Sequence, residues 1–233
     1  SAQNTNTLLT NELQKATEIA PADPDVKATV KQALSQLLSP GILSKSSTYS
    51  TQLQISLTQI QILFTDPAIG FLAYQKLSTF GDDFSTIPES SPNRRIEKLN
   101  RDLQIALVKR QALIGMALTA SQMSFASYED AVAIRDRLAL KLDQELDRVG
   151  STDEDATFCA LSDLKAAMIL DITERAANLA RIKNIYPAEP MPALVLAYEL
   201  YGGIDQAEEI RNRNKVRNPN FMPAGKTVQV LIP

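Results

Sequence analysis

The sequence predicts a mainly α-helical protein: an antiparallel bundle of long helices, followed by a small module with the element order βααβ. Only 8 of the 233 residues are glycine and none is tryptophan, whereas folds with many tight turns need more glycine. Apolar residues recur at steps of three and four through the middle of the chain, which indicates helices. Residues 227–232 alternate and are β-branched, which indicates a closing strand. We divide the chain into a helical segment (1–90), a long-helix bundle (91–183) and the βααβ module (184–233).

The N-terminal segment is predicted to begin with two short amphipathic helices. A connection rich in proline, residues 21–24, separates them, because proline is tolerated in the first turn of a helix. Ser39-Pro40-Gly41 is expected to end the second helix. A later helix is predicted over residues 68–80, after the break at Asp66-Pro67.

Residues 50–64 carry two competing patterns. Alternation of Leu53, Ile55 and Leu57 favours a strand. Steps of three and four favour a helix, and they join Leu53, Leu57, Ile60 and Phe64. The helical spacing persists longer, so we predict a helix.

Three long helices are predicted in the bundle. The first covers residues 93–123. The second opens with a capping box at Ser127 and stops at Gly150, and a cap at Ser151 or Thr152 opens the third. Each has one apolar stripe, which is typical of bundle core, although pairing with a partner helix is the alternative reading. The stripes comprise Ile96, Leu99, Leu103, Ala106, Leu113, Ala117 and Ala120; then Ile134, Leu138, Leu142, Leu146 and Val149; then Phe158, Leu161, Leu164, Met168, Ile172, Ala176 and Leu179.

The residue inventory removes most catalytic chemistry. The chain has no histidine, the commonest general base and metal ligand. Cys159, the single cysteine, is flanked by apolar residues, and we expect a small packed side chain. Adjacent acids sit at helix caps or on polar faces, and no glycine-rich phosphate loop is present. We therefore predict no catalytic residue, no metal site and no cofactor, and a protein that is not an enzyme. No apolar run approaches the roughly 20 residues of a membrane span.

Charge is nearly balanced along the chain. The formal net charge is −3, and no segment has the basic excess on which DNA affinity depends. One local run of basic residues is a candidate anion or nucleic-acid contact: Arg211, Arg213, Lys215 and Arg217. Because Glu208 and Glu209 precede it, a solvated helix end is the competing interpretation.

The C-terminal residues resemble a LysM module. Residues 187–191, 194–198 and Tyr201-Gly202 are similar to its opening, and residues 218–233 to its close, although Ala188 and Pro190 replace the usual glycine and threonine. The resemblance implies two helices packed on a two-stranded sheet. In phage tails such modules are used to clamp neighbouring proteins. The candidate partner-binding residues are Tyr198, Tyr201, Asn214, Phe221 and Met222.

A longer stretch, residues 100–233, resembles the C-terminal region of the DNA circularisation (circulation) protein N family of Mu-like bacteriophages. The resemblance is carried by residues 127–147, 161–164, 193–198 and 213–219. The family commonly has His-Pro where this chain has Asn218-Pro219, so no role for that histidine carries over. The family's N-terminal domain has no counterpart here, and we expect the chain to be a C-terminal fragment.

The resemblance implies a structural tail or baseplate assembly protein of a contractile-tail phage or prophage. Such a protein would join the virion tail after assembly in the cytoplasm of the host. Expected partners are other tail or baseplate proteins, with a second copy of the chain as a further candidate and no membrane. Two alternatives stay open: a DNA-binding protein that circularises or protects injected DNA, and a peptidoglycan binder acting through the LysM-like module.

Overall fold

The computed structural model of the chain describes residues 2–20, 22, 24–37 and 46–232, and over these it is mainly helical with one two-stranded antiparallel sheet. The predicted break at Ser39-Pro40-Gly41 and part of the connection at 21–24 lie outside the described residues. The elements are α1 (Ala2–Ile19), α2 (Pro24–Gln36), α3 (Ser46–Gln61), α4 (Pro67–Leu77), α5 (Pro92–Gln122), α6 (Tyr128–Gly150), α7 (Asp155–Ala176), β1 (Arg181–Ile185), α8 (Ala193–Tyr201), α9 (Ala207–Arg213) and β2 (Val228–Ile232).

The chain divides into two compact units. Unit 1 comprises Ser1–Met123 and Asp136–Leu170, and unit 2 comprises Ser124–Arg135 and Asp171–Pro233. Helices α6 and α7 therefore contribute residues to both. Unit 2 contains the predicted βααβ module together with one end of each of these two helices.

In unit 1, the ambiguous stretch at 50–64 is helical. Helix α3 buries Leu53 and Leu57 and leaves Ile55 exposed, as the steps of three and four predict. A strand would have put all three side chains on one face. The buried hydroxyl of Tyr74 donates a hydrogen bond to the Leu57 carbonyl at 2.6 Å, which ties α3 to α4.

Helices α4 and α5 approach each other closely, because each has a glycine at the contact. A Cβ added at Gly70 would lie 3.2 Å from Cγ2 of Thr119, and one added at Gly115 would lie 2.5 Å from the ring of Tyr74. Both helices begin with a proline that follows an N-cap residue, Asp66 for α4 and Ser91 for α5. The side chain of each cap accepts a hydrogen bond from a backbone N–H of the first turn. Helix α4 ends at Leu77, three residues before the predicted end.

The boundary of α6 is as predicted, but that of α7 is not. Ser127 Oγ accepts the N–H of Asp130 at 3.1 Å and so caps α6. The prediction that Ser151 or Thr152 caps α7 is wrong: their hydroxyls donate to the carbonyls of Arg148 and Val149 and complete the end of α6. Helix α7 begins only at Asp155. The packing of α5, α6 and α7 as one antiparallel bundle stays a prediction.

Cys159 is exposed, so the prediction of a packed side chain is wrong. Helix α7 buries Leu161, Met168 and Ile172. Two residues of helix rotate a side chain by about 200°, which places Cys159 on the face opposite Leu161. Its apolar sequence neighbours were a poor guide, because helical neighbours in space are three and four residues apart.

Unit 2 contains the strand, two helices and second strand that the sequence predicts. The two strands pair antiparallel, from Arg181 opposite Ile232 to Ile185 opposite Val228, so β1 starts before the predicted module boundary at residue 184. Gly202 follows the last residue of α8 and caps the helix in the left-handed conformation, with a φ of 71°. The core of the module comprises Ala193, Leu196, Ala197, Ala207, Ile210, Met222, Val228 and Val230.

Candidate functional site

An apolar and aromatic surface lies on unit 2. Five large side chains of α8 and of the connections before it and after α9 are exposed, and we call them the α8 surface: Tyr186, Leu194, Val195, Tyr198 and Phe221. Tyr198 and Phe221 keep 64% and 66% of their area open. Exposed aromatic side chains suit protein contacts, because they bury a large area with few rotatable bonds.

Backbone hydrogen bonds hold the segments that carry this surface against each other. The N–H of Ala193 donates to the Pro219 carbonyl at 2.7 Å, and that of Met222 donates to the Met191 carbonyl at 2.8 Å. The N–H of Gly225 donates to the Pro187 carbonyl at 2.9 Å. The connections before α8 and after α9 therefore run side by side; Phe221 lies near the start of α8, and Tyr186 lies at the other end of the paired connections, next to β1.

Of the five predicted partner-binding residues, Tyr198 and Phe221 are on this surface and the other three have structural roles. Met222 is fully buried in the module core, so its place in the predicted contact set is wrong. The Tyr201 hydroxyl donates to the Leu231 carbonyl at 2.6 Å, and burial, with Glu209 nearby, raises the pKa of Tyr201.

Asn214 joins α9 to β2. Its amide nitrogen donates to the carbonyls of Ile210 and Gln229, and its amide oxygen accepts the N–H of Gln229, each at 2.8 Å. These three bonds use both amide hydrogens and one of the two lone pairs of the amide oxygen. Asn214 therefore positions the strand, and a contact with a partner stays a prediction.

Sequence reasoning missed Tyr186, Leu194 and Val195. For Leu194 and Val195 the helical spacing of α8 contained the information, because Leu196 and Ala197 face the core. Residues 194, 195 and 198 then fall on the other side of the helix, because 3.6 residues complete one turn. Finding them required knowing which side of a nine-residue helix is covered.

The first two residues of the predicted basic run are paired with acids within unit 2. Arg211 lies 3.3 Å from Glu208, and Arg213 lies 2.5 Å from Glu209 and 3.2 Å from Asp130. Burial lowers the pKa of Arg213, but its hydrogen bonds to Glu209 and Asp130 outweigh that effect, and the pKa of Arg213 is raised.

The last two basic residues of the run differ from the first two. Neither Lys215 nor Arg217 has an ion pair within the described part of the chain. Lys215 follows α9 with a positive φ of 53°, and the N–H of Val216 donates to the Arg211 carbonyl at 3.0 Å. This is the geometry of a helix C-terminus, and it explains the backbone of Lys215 without a ligand.

Three further basic residues, Arg94, Arg95 and Lys98, lie near the start of α5, in unit 1. Arg94 pairs with Glu97 at 3.1 Å, and Lys98 pairs with Glu89 at 2.5 Å. Both carboxylates offset the positive charge locally, and Arg94 and Arg95 are both exposed.

The most buried ion-pair network is in unit 1. Glu145, with 5% of its side chain exposed, lies 2.8 Å from Arg110 and 2.5 Å from Arg148, and Arg110 also lies 2.7 Å from Glu154. Burial raises the pKa of Glu145, but hydrogen bonds from Arg148 and Arg110 outweigh it and the pKa is lowered. Arginine holds the pKa of both acids below the ordinary value, and the network joins α5, α6 and the residue before α7.

Over the described residues, no helix is long and apolar enough to cross a membrane, and no group of three or more His, Cys, Asp or Glu side chains could hold a metal ion. No protein-family model matches the sequence, and no curated protein matches it.

Proposed function

We propose that the protein is a structural, non-enzymatic assembly component that binds neighbouring proteins through the α8 surface. The supporting observation is the exposure of Tyr198 and Phe221 together with that of the other three side chains of the α8 surface. Large exposed apolar patches mark contact sites, and aromatic anchors carry much of the affinity in such contacts. The residues that resemble a LysM module include four members of this surface, Leu194, Val195, Tyr198 and Phe221.

The phage resemblance specifies the setting of this role. On that basis the protein is a tail or baseplate assembly protein of a Mu-like contractile-tail phage or prophage. Its LysM-like module would clamp an adjacent hub, tube or baseplate protein, and the finished complex would be part of the virion tail. The nearly neutral charge of residues 184–233, which carry five basic and five acidic side chains, suits a contact dominated by apolar area.

Reconstitution tests the proposal. The chain is mixed with purified hub, tube and baseplate proteins, and complexes are isolated by co-purification and measured by calorimetry. Single Tyr198→Ala and Phe221→Ala substitutions are each expected to weaken binding at least tenfold, by removing an anchor of about 1.4 kcal/mol or more. Failure of the wild-type chain to bind any of these proteins would contradict the proposal.

Phe158→Ala is the matched control, because Phe158 is also an exposed aromatic residue but belongs to unit 1. It should leave binding unchanged. If Phe158→Ala weakens binding as much as Phe221→Ala does, the effect does not come from the α8 surface.

DNA binding ranks second, because carboxylates already pair with Arg211, Arg213, Arg94 and Lys98. A gel-shift titration at about 50 mM salt separates the two functions, since phosphate contacts weaken steeply with added salt. Tight, salt-dependent binding lost in Lys215→Ala/Arg217→Ala would replace the proposal. Retention on purified cell wall, lost in Phe221→Ala, would instead favour the peptidoglycan alternative.

A further inference from the structure

The two-stranded sheet of unit 2 has an outer edge on each strand. In an antiparallel pair, successive residues turn their backbone N–H and C=O alternately toward the paired strand and away from it. The N–H of Ile182 donates to Glu129 and not to β2, so β1 turns Ile182 and Asn184 outward. On β2 the residues opposite them, Leu231 and Gln229, turn outward on the other side of the sheet.

Side chains of unit 2 close most of the outer edge of β2. The side-chain amide of Asn214 bonds both the N–H and the C=O of Gln229, each at 2.8 Å. The Tyr201 hydroxyl donates to the C=O of Leu231 at 2.6 Å. An added strand would have to displace these bonds, so this edge is protected, as exposed sheet edges in folded proteins commonly are.

The outer edge of β1 is closed only at its beginning, by the first turn of α6. The N–H of Tyr128 donates to the Ala180 carbonyl at 2.9 Å, and a carboxylate oxygen of Glu129 accepts the N–H of Ile182 at 2.8 Å. Past this point, the C=O of Ile182 and both backbone groups of Asn184 have no hydrogen-bond partner within the described part of the chain. Asn184 is exposed. An acceptor, a donor and an acceptor therefore follow each other along one line, and the backbone of an extended peptide complements such a row.

The charge of β1 selects among extended peptides. Its charged residues are Arg181 and Lys183, both exposed, and Lys183 has no ion pair with any residue that the structure describes. A residue added opposite Lys183 would occupy a non-hydrogen-bonded position, where the side chains of antiparallel strands come closest. An acid is favoured there and a basic residue is disfavoured. A second copy of β1 would bring the basic residues of both chains into one ladder, so an acidic strand of another protein fits better.

We propose that the outer edge of β1 is a docking site for an extended, acidic segment of a partner protein, which adds a third strand to the sheet. The added strand runs antiparallel to β1, since parallel pairing is slightly less stable per residue. Its backbone donates to the C=O of Ile182 and exchanges two hydrogen bonds with Asn184, while one of its acidic side chains faces Lys183.

The contact made by this edge alone is weak. A few backbone hydrogen bonds and one exposed ion pair give an isolated peptide a dissociation constant on the order of 1 mM. In an assembly the edge adds to other contacts between the same two proteins. The site does not use Tyr198 or Phe221, so it stands or falls independently of their role.

NMR titration of the isotope-labelled full chain tests the site. The probe is a short, capped peptide of alternating valine and glutamate. With one glutamate set against Lys183, its valines lie opposite Ile182 and Asn184, because side chains alternate along a strand. The amide signal of Asn184 should shift at millimolar peptide, and its hydrogen exchange should slow. The amide of Gln229 should stay unchanged, since Asn214 already bonds it.

A second peptide and three variants separate the backbone and charge contributions. An N-methylated peptide lacks the donors and should not bind. Lys183→Glu should weaken binding of the glutamate peptide about fivefold, by exchanging an attractive cross-strand pair for a repulsive one. The matched control is Lys215→Glu, since Lys215 is also an exposed lysine of unit 2 but lies outside the sheet, and it should bind like the wild type. Asn184→Pro removes the outward N–H and should abolish binding, and proline is tolerated at such a position of an edge strand.

Unchanged thermal melting will establish that the variants are folded, and Lys183→Glu with the N-methylated peptide carries the test where Asn184→Pro melts lower. An Asn184 amide that does not move at about 5 mM peptide, several times the expected dissociation constant, overturns the proposal. So does an equal shift with the N-methylated peptide, or a peptide that shifts Tyr198 and Phe221 in place of Asn184. A shift of Asn184 that depends on protein concentration without peptide overturns the assignment to a partner protein, because a second copy then occupies the edge.

Discussion

Gly115 is the position at which one added methyl group should do the most damage to unit 1. The Cβ of alanine would lie 2.5 Å from Cδ1 and Cε1 of Tyr74 and 2.7 Å from Cζ. Such distances force a shift of about 1 Å, because carbon atoms in contact stay about 3.5 Å or more apart. The Tyr74 ring is 3% exposed and its hydroxyl is bonded to the Leu57 carbonyl at 2.6 Å, so it has little room to yield.

Three contributions set the size of the effect of Gly115→Ala. Overpacking costs about 1–3 kcal/mol, and displacing the Tyr74 hydroxyl from Leu57 costs about 1 kcal/mol. Alanine recovers about 1 kcal/mol, because it favours the helix more than glycine does. We expect the free energy of unfolding to fall by about 2 kcal/mol and the melting temperature by roughly 4–8 °C.

Urea unfolding followed by circular dichroism measures this change. Gly150→Ala is the control: its Cβ would lie 3.6 Å from the ring of Phe158, an ordinary contact, so stability should hold or rise. In a Tyr74→Phe background the ring is released from Leu57, and Gly115→Ala should cost less there. A Gly115→Ala protein as stable as the wild type would refute the close α4–α5 packing.

Three further changes test other parts of the fold. Glu145→Gln should lower the free energy of unfolding by about 2 kcal/mol at pH 7. The folded pKa of Glu145 lies below its ordinary 4.5. The stability that its charge contributes is therefore present above pH 4.5 and is lost as the pH falls through the folded pKa. The free energy of unfolding of the Glu145→Gln variant should consequently change less with pH over this range than that of the wild type. Lys215→Gly should stabilise unit 2 by about 1 kcal/mol, since glycine adopts a positive φ without strain, and thermal melting that shows no gain would contradict that conformation. Asn214→Ala should destabilise unit 2 by about 1–2 kcal/mol by removing its three hydrogen bonds, and faster amide exchange in β2 would locate the loss.

Local interactions were predictable from the sequence. The Ser127 capping box, the left-handed Gly202 after α8 and the order of elements in the βααβ module depend on residues a few positions apart. Their geometry follows from backbone chemistry that does not change with the surroundings. The same holds for α3, where the spacing of Leu53 and Leu57 was enough to choose helix over strand.

Accessibility was less predictable, and it decides which residues can form a site. Phe221 and Met222 are adjacent and similar in hydrophobicity, yet one is 66% exposed and the other is fully buried. An isolated bridge between Met191 and Met222 fixes which of them faces the core. That pairing joins residues 31 positions apart, and no short-range pattern encodes it. Of the five predicted contact residues, Tyr198 and Phe221 are exposed, and their binding to a partner stays a prediction.

Helix α5 illustrates the same difficulty on a larger scale. The predicted core stripe includes Ile96, Leu99 and Leu103, all exposed, and Ala106 and Leu113, both buried. Spacing predicts that a helix has an apolar face, but it does not say whether the same chain covers that face. The size of the side chains carries the missing information. Small residues line the side where α4 approaches closely, and large aliphatic residues line the open side, where a covering helix would gain the most from burying them.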